Sequence, residues 1–175
     1  LKGLFKVMSI WRRGAERAPH KPLLLLYALG KCSRGEPREI PFSEVDSKLQ
    51  SLLREFGPSR KSYHPEYPFW RLRNDGLWEL SDVEKLERRE SNIDAKKSEL
   101  LKYDVTGGFP EPIYNLLQQN PQLLVEIAQD ILDQNFPTSI HEDVLDAVGI
   151  EIEYQVMKVL KRDPHFRESV MIAYE

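Results

Sequence analysis

The residues best suited to chemistry in this chain are cations set among flat apolar side chains. One run is Arg12-Arg13-Gly14-Ala15-Glu16-Arg17-Ala18-Pro19-His20-Lys21. A second starts at Arg60-Lys61-Ser62-Tyr63-His64 and leads into Tyr67-Pro68-Phe69-Trp70-Arg71-Leu72-Arg73. Such interleaving suits a nucleic-acid backbone: cations neutralise phosphates, and flat apolar surfaces lie against sugars and bases. If residues 67–72 form a strand, Arg71 and Arg73 share one exposed face while Phe69, with Trp78, belongs partly to the core. For those two arginines, contact with DNA and plain solvation both stay open. Lys96-Lys97-Ser98 is a third basic element, placed at the start of a short helix where free N–H groups favour an anion.

Catalytic patterns are missing. His20, His64, His141 and His165 never pair at the helical spacing of a zinc protease, and His64-Pro65-Glu66 reads as a solvated loop rather than a metal site. There is no nucleophile elbow and no phosphate-cradling glycine loop. Cys32 is the single cysteine, which excludes an internal disulfide and a multi-thiolate zinc site and suits a reducing, bacterial cytoplasm. It reads as a packing residue.

Charge is divided unevenly along the 175 residues. Residues 1–73 carry 15 Lys/Arg against 7 Asp/Glu, and residues 74–175 carry 10 against 21, so the net −3 hides a basic and an acidic half. A concentrated positive field attracts a polyanion, although two opposite halves can also simply neutralise each other. The longest apolar run, Leu23 to Leu29, is about a third of the roughly 20 residues a membrane span needs. With Leu1 in place of an initiator Met and no signal-peptide pattern, the expectation is a fragment of a longer protein.

Positioning these residues requires a set of short elements. The pattern predicts helices over 3–13, 22–31, 44–56 (capped by Ser43), 82–90, 96–102, 110–119, 121–134, 140–147 and 151–162. A short strand is expected at 38–42, and strands at 67–72 and 76–80 joined by Asn74-Asp75-Gly76 as a hairpin. Thr106-Gly107-Gly108-Phe109-Pro110 reads as a turn. The fold expectation is α+β and predominantly α-helical, with a winged-helix-like N-terminal unit carrying a small hairpin sheet and a helical C-terminal half. One recognition domain spans 1–162, basic over 1–80 and acidic and helical over 81–162.

Taken in order, Arg17-Ala18-Pro19-His20-Lys21-Pro22-Leu23-Leu24-Leu25-Leu26, Ile40-Pro41-Phe42, Tyr67-Pro68-Phe69-Trp70-Arg71-Leu72, Gly76-Leu77-Trp78-Glu79-Leu80 and Gly107-Gly108-Phe109 form a recognisable series. It resembles the sulfur-binding domain of phosphorothioate-dependent HNH (type IV) restriction endonucleases over most of residues 10–175. The resemblance implies binding of double-stranded DNA in which sulfur replaces a non-bridging phosphate oxygen, with no catalysis and no cofactor in this portion. Residues 163–175 resemble the lead-in to an HNH nuclease domain, which would use a divalent metal. A homodimer of the full-length enzyme is compatible with this, and no membrane is involved.

By the same resemblance, Tyr67 (through its Cβ) and Pro68 form an apolar cup for sulfur, and His20 and Lys21 are the basic pair beside it. Lys21 stands where the family has an arginine, keeping charge but losing the planar fork. Arg71 occupies the position of a small residue that completes the family's cup. Arg13, Arg17, Arg60 and Arg73 are expected at the DNA backbone, and Lys96, Lys97 and Ser98 at the flanking bases. Competing readings are a winged-helix DNA binder indifferent to sulfur, a protein-interaction domain docking through 110–162, and a metal enzyme centred on His64 and Glu66.

Overall fold

The structure, a computed structural model, describes residues 18–87 and 93–151. The expected helix over 3–13, nearly all of that over 151–162, the segment 163–175, and the candidates Arg13 and Arg17 lie outside the described residues.

Helix α1, His20–Ser33, is the axis of the molecule. Leu23, Leu24, Leu25, Leu26 and Leu29 are completely buried, so the helix is apolar on every side, the signature of a central core element. Around it pack α2 (Phe42–Phe56), α3 (Glu66–Arg71), α5 (Glu111–Gln119), α6 (Pro121–Asn135) and α7 (His141–Val148). Helix α4, Lys97–Lys102, rests on α2. Gly30 lets the end of α7 come close, since a Cβ there would stand 2.0 Å from the Val148 carbonyl oxygen. Arg34 then donates to the carbonyls of Val148 and Gly149 at 3.0 and 2.9 Å, capping that helix end with a cation.

Three strands close the other side: β1 (Ile40–Pro41), β2 (Glu79–Leu80) and β3 (Thr106–Gly108), antiparallel in the order β1-β3-β2. The expected turn at 106–110 is therefore the central strand. Its two glycines are demanded by close packing. A Cβ on Gly107 would meet Trp78 Nε1 at 2.5 Å, Phe69 at 2.8 Å and Leu80 at 2.9 Å, and one on Gly108 would meet the Arg38 carbonyl oxygen at 2.1 Å.

The expected hairpin is not formed. Residues 66–71 are helical, and a 3₁₀ turn, Leu72–Asp75, follows. Pro68, Phe69, Trp70 and Leu72 are all buried, which an alternating strand with one wet face cannot achieve but a helix wedged between α1, α2 and the sheet can. Phe69 sits 4.9 Å from Phe42 and edge-on to Trp78 at 6.0 Å, and Trp78 is edge-on to Phe109 at 6.0 Å. Gly76 does take positive φ (72°), but as the C-terminal cap of the helical segment rather than within a hairpin loop. Without that hairpin, the expected wing is absent from 67–80. The α+β, predominantly helical character stands.

Smaller differences have equally local causes. Helix α2 starts at Phe42 instead of after Ser43, because Phe42 is buried and its N–H is already taken by the Val105 carbonyl at 2.9 Å. Ser81 caps no helix, since its hydroxyl bonds Thr106 Oγ1 at 2.5 Å. Within the described part of 82–90 there is only a 3₁₀ turn, Val83–Lys85.

Candidate nucleic-acid interface

Helix α3 presents Tyr67 at the surface, 38% exposed, while its neighbours Pro68, Phe69 and Trp70 are buried. The His64 ring stacks on Tyr67 at 4.8 Å and 17°, and the Arg71 guanidinium lies 4.8 Å from the same ring centroid. His20, half-buried at the start of α1, completes the group. Its pKa is held below the ordinary histidine value, first by burial and then by the charges of Arg60, His64 and Arg71. His64 and Arg71 thus flank one exposed aromatic ring, with His20 close enough to feel the charges of Arg60, His64 and Arg71. Imidazole and guanidinium N–H groups placed around one exposed surface favour an anion there.

The loop before α3 is pinned rather than loose. Tyr63 Oη donates to the Pro58 carbonyl and accepts from the Arg60 N–H, both at 3.4 Å. His64 Nδ1 and Glu66 Oε1 are 2.9 Å apart. Of residues 65–68 only Glu66 and Tyr67 carry a backbone N–H. Pro65 and Pro68 have no N–H, and the Tyr67 N–H is bonded to the His64 carbonyl at 3.1 Å.

The other sequence candidates are distributed less simply. Pro68, expected to offer an open ring face, is buried, because it occupies the first turn of a wedged helix. Lys21 points its ammonium at Asp75 Oδ2, 2.6 Å away, rather than standing free beside His20. Arg71 is gripped by Asp94, with Nε–Oδ1 at 2.9 Å and Nη2–Oδ2 at 2.5 Å, and those bonds are the main reason its pKa is raised. Arg73 does not share an exposed face with Arg71, since two positions along a helical segment diverge. Its guanidinium lies 3.5 Å from the Trp70 centroid, and burial lowers its pKa. Lys97 pairs with Asp46 at 2.7 Å, leaving Lys96 and Ser98 exposed at the start of α4. Arg60 is exposed.

The carboxylates were not legible as members of this surface. Asp75 looked like a turn residue, and Asp94 lies 23 positions from Arg71 with nothing in its spacing to connect them. Among the described residues no group of three or more His, Cys, Asp or Glu side chains is arranged to hold a metal, so His64 and Glu66 lack further ligands. No helix among them is long and apolar enough to cross a membrane.

Residues 1–153 match the family model described as ScoMcrA-like, DNA sulfur-binding domain. The chain is similar to the sulfur binding domain of ScoMcrA solved with phosphorothioated DNA, at TM-score 0.72 and 25% identity over 85% of this chain and 98% of that one. It is similar in fold to the sulfur binding domain of SprMcrA, also solved with phosphorothioated DNA, at TM-score 0.65 and 24% identity over 86% and 94% of the two chains. Against the type IV phosphorothioation-dependent restriction endonuclease ScoMcrA the values are 0.69 and 26%, over 85% of this chain and 27% of that larger one.

Proposed function

The chain belongs to the ScoMcrA-like DNA sulfur-binding domain family, and on that premise we propose that it binds double-stranded DNA carrying a phosphorothioate linkage, as the recognition part of a restriction endonuclease. The observation that carries this reading is the placing of His64 and Arg71 on exposed Tyr67, with His20 within reach of the charges of Arg60, His64 and Arg71. The cations hold the backbone charge, which sulfur-modified and ordinary linkages share, and so supply affinity rather than discrimination.

Discrimination comes from the donor-poor turn at residues 65–68. Sulfur is larger, more polarizable and a weaker hydrogen-bond acceptor than oxygen. An oxygen set against the Tyr67 Cβ and ring gives up water and finds no N–H from Pro65, Tyr67 or Pro68 in return. Sulfur loses much less. Pro68 serves here by fixing the turn and withholding a donor, rather than as an open cup face. Cleavage belongs to a nuclease domain of the HNH kind outside this domain, where a divalent metal would act.

A gel-shift comparison of one duplex with and without a single sulfur substitution, at physiological salt, tests the reading. The modified duplex is expected to bind at least about 10-fold more tightly, the order of one unmade buried hydrogen bond. Equal affinities would replace this function with sulfur-indifferent DNA binding. Replacing Tyr67 by Ser is expected to shrink the preference, and a Y67S chain keeping all of it would remove Tyr67 from the sulfur contact.

A further inference from the structure

Glu66 is a buried carboxylate, 7% exposed, with Oε2 shut away from solvent and without a hydrogen-bond partner. Burying such a group is costly unless a donor or cation compensates it, and the apolar core gains nothing from it. Among the described residues its partner is His64 Nδ1 at 2.9 Å, on a ring that is itself 46% exposed and stacked on Tyr67. A buried acid holding an exposed imidazole fixes both the orientation and the tautomer of that ring. With Nδ1–H committed to Glu66, Nε2 is the atom left for an outside partner. Among the described residues it meets the hydroxyl of exposed Ser62, at 3.3 Å.

We infer that His64 is a phosphate-contacting residue of the interface, positioned by Glu66, and that it takes up a proton from solvent as DNA docks. This rests on the DNA-binding reading above. The charged and titratable groups around the ring are Glu66 from its own turn, Tyr67 and Arg71 from α3, Asp94 through its pair with Arg71, and His20 from α1. An arriving phosphate places an anion at Nε2 opposite the Glu66 carboxylate at Nδ1 and so favours the charged ring, and the docked state binds one more proton than the free components. The protonated ring donates Nδ1–H to Glu66 and Nε2–H to the phosphate oxygen. Glu66 never touches DNA.

Calorimetric titration of the 175-residue chain with a duplex bearing one phosphorothioate linkage, at pH 7 in buffers of different ionisation enthalpy, measures the proton directly. Net uptake approaching one proton per complex is expected for the unaltered chain. His64→Gln should lose most of that uptake and bind about 10-fold more weakly at pH 6, the size of one charge-assisted hydrogen bond. Glu66→Gln keeps an acceptor for Nδ1 but should reduce the uptake, whereas a purely structural Glu66 would lower the melting temperature and leave the proton count alone. His20→Gln should retain the part that depends on His64.

Unchanged uptake in the H64Q chain overturns the inference while leaving sulfur recognition intact. Failure of the unaltered chain to bind any duplex overturns both. Should E66Q not fold, the His64 Cε1–H resonance of the unaltered chain, followed against pH with and without duplex, gives the answer. Its midpoint should rise on binding, and an unmoved midpoint overturns the proposal.

Discussion

Arg71 and Asp94 form a two-pronged ion pair, Nε to Oδ1 and Nη2 to Oδ2, across the surface where DNA is proposed to lie. A guanidinium held in this way is positioned over Tyr67 and largely neutralised at the same time. Lys21 with Asp75 and Lys97 with Asp46 form ion pairs through single contacts. Three of the cations expected to meet DNA are therefore tethered to aspartates in the free protein.

Releasing one of these tethers should strengthen backbone binding without regard to sulfur. Asp94→Asn is expected to raise affinity for modified and unmodified duplexes alike, by about 3- to 10-fold, and to steepen the log–log salt dependence by roughly 0.9 for one extra phosphate neutralised. Fluorescence anisotropy across a salt series measures both. An unaltered slope would mean that Arg71 reaches no phosphate.

Arg73 should behave differently from Arg71. Lying 3.5 Å from the Trp70 centroid, it contributes about 0.5–2 kcal/mol of packing, less the relief of its own buried and unbonded Nε. Arg73→Ala is expected to lower the urea midpoint modestly and leave DNA affinity in place, while Arg71→Ala weakens DNA binding with little change in midpoint. Reversal of that pattern would put Arg73 at the interface.

Gly107→Ala tests the sheet as a support for α3. The added methyl has to displace Trp78, Phe69 and Leu80, an overpacking cost of about 1–3 kcal/mol. Thermal melting should show a clear loss. Tyr67 rides on the helix that Phe69 anchors, so sulfur preference should weaken with it; a fully stable G107A chain would contradict the packing described.

Acidification should cost stability through His20. Its folded pKa lies below the unfolded value, so between those two values the unfolded chain binds more protons. Stability is then complete above the unfolded pKa of roughly 6.5 and declines as pH falls toward the folded value. His20→Gln should flatten that part of the profile in urea titrations from pH 7 to pH 5.

Much of this was legible where local pattern and environment agree. The all-leucine run at 23–26 announced a central helix, and the helices at 111–119, 121–135 and 141–148 follow their apolar spacing. The stretch 66–76 was misread because aromatic and proline content mimics a strand, and Asn-Asp-Gly fits a helix cap as well as a hairpin turn. What overrode propensity was the burial of Phe69 and Trp70 against α1, α2 and the sheet, which no local window contains. Gly107-Gly108 misled for the same reason: a pair of glycines signals a bend unless the rings that will lie over them are known. At the candidate site the cations could be seen in the sequence. Their aspartate partners, 54, 23 and 51 positions away, could not.

The central place of β3 has a consequence for the order of assembly. Ile40 and Leu80 both pair with Gly107, so the strands flanking it have no direct ladder between them. During synthesis the helix bearing Tyr67 emerges long before residue 107, and the platform beneath it stays incomplete until that late strand slots in. Closing loops of this length is slow compared with winding a helix. A nascent chain halted near residue 100 would carry every cation of the cluster and still have no firm surface on which to hold them.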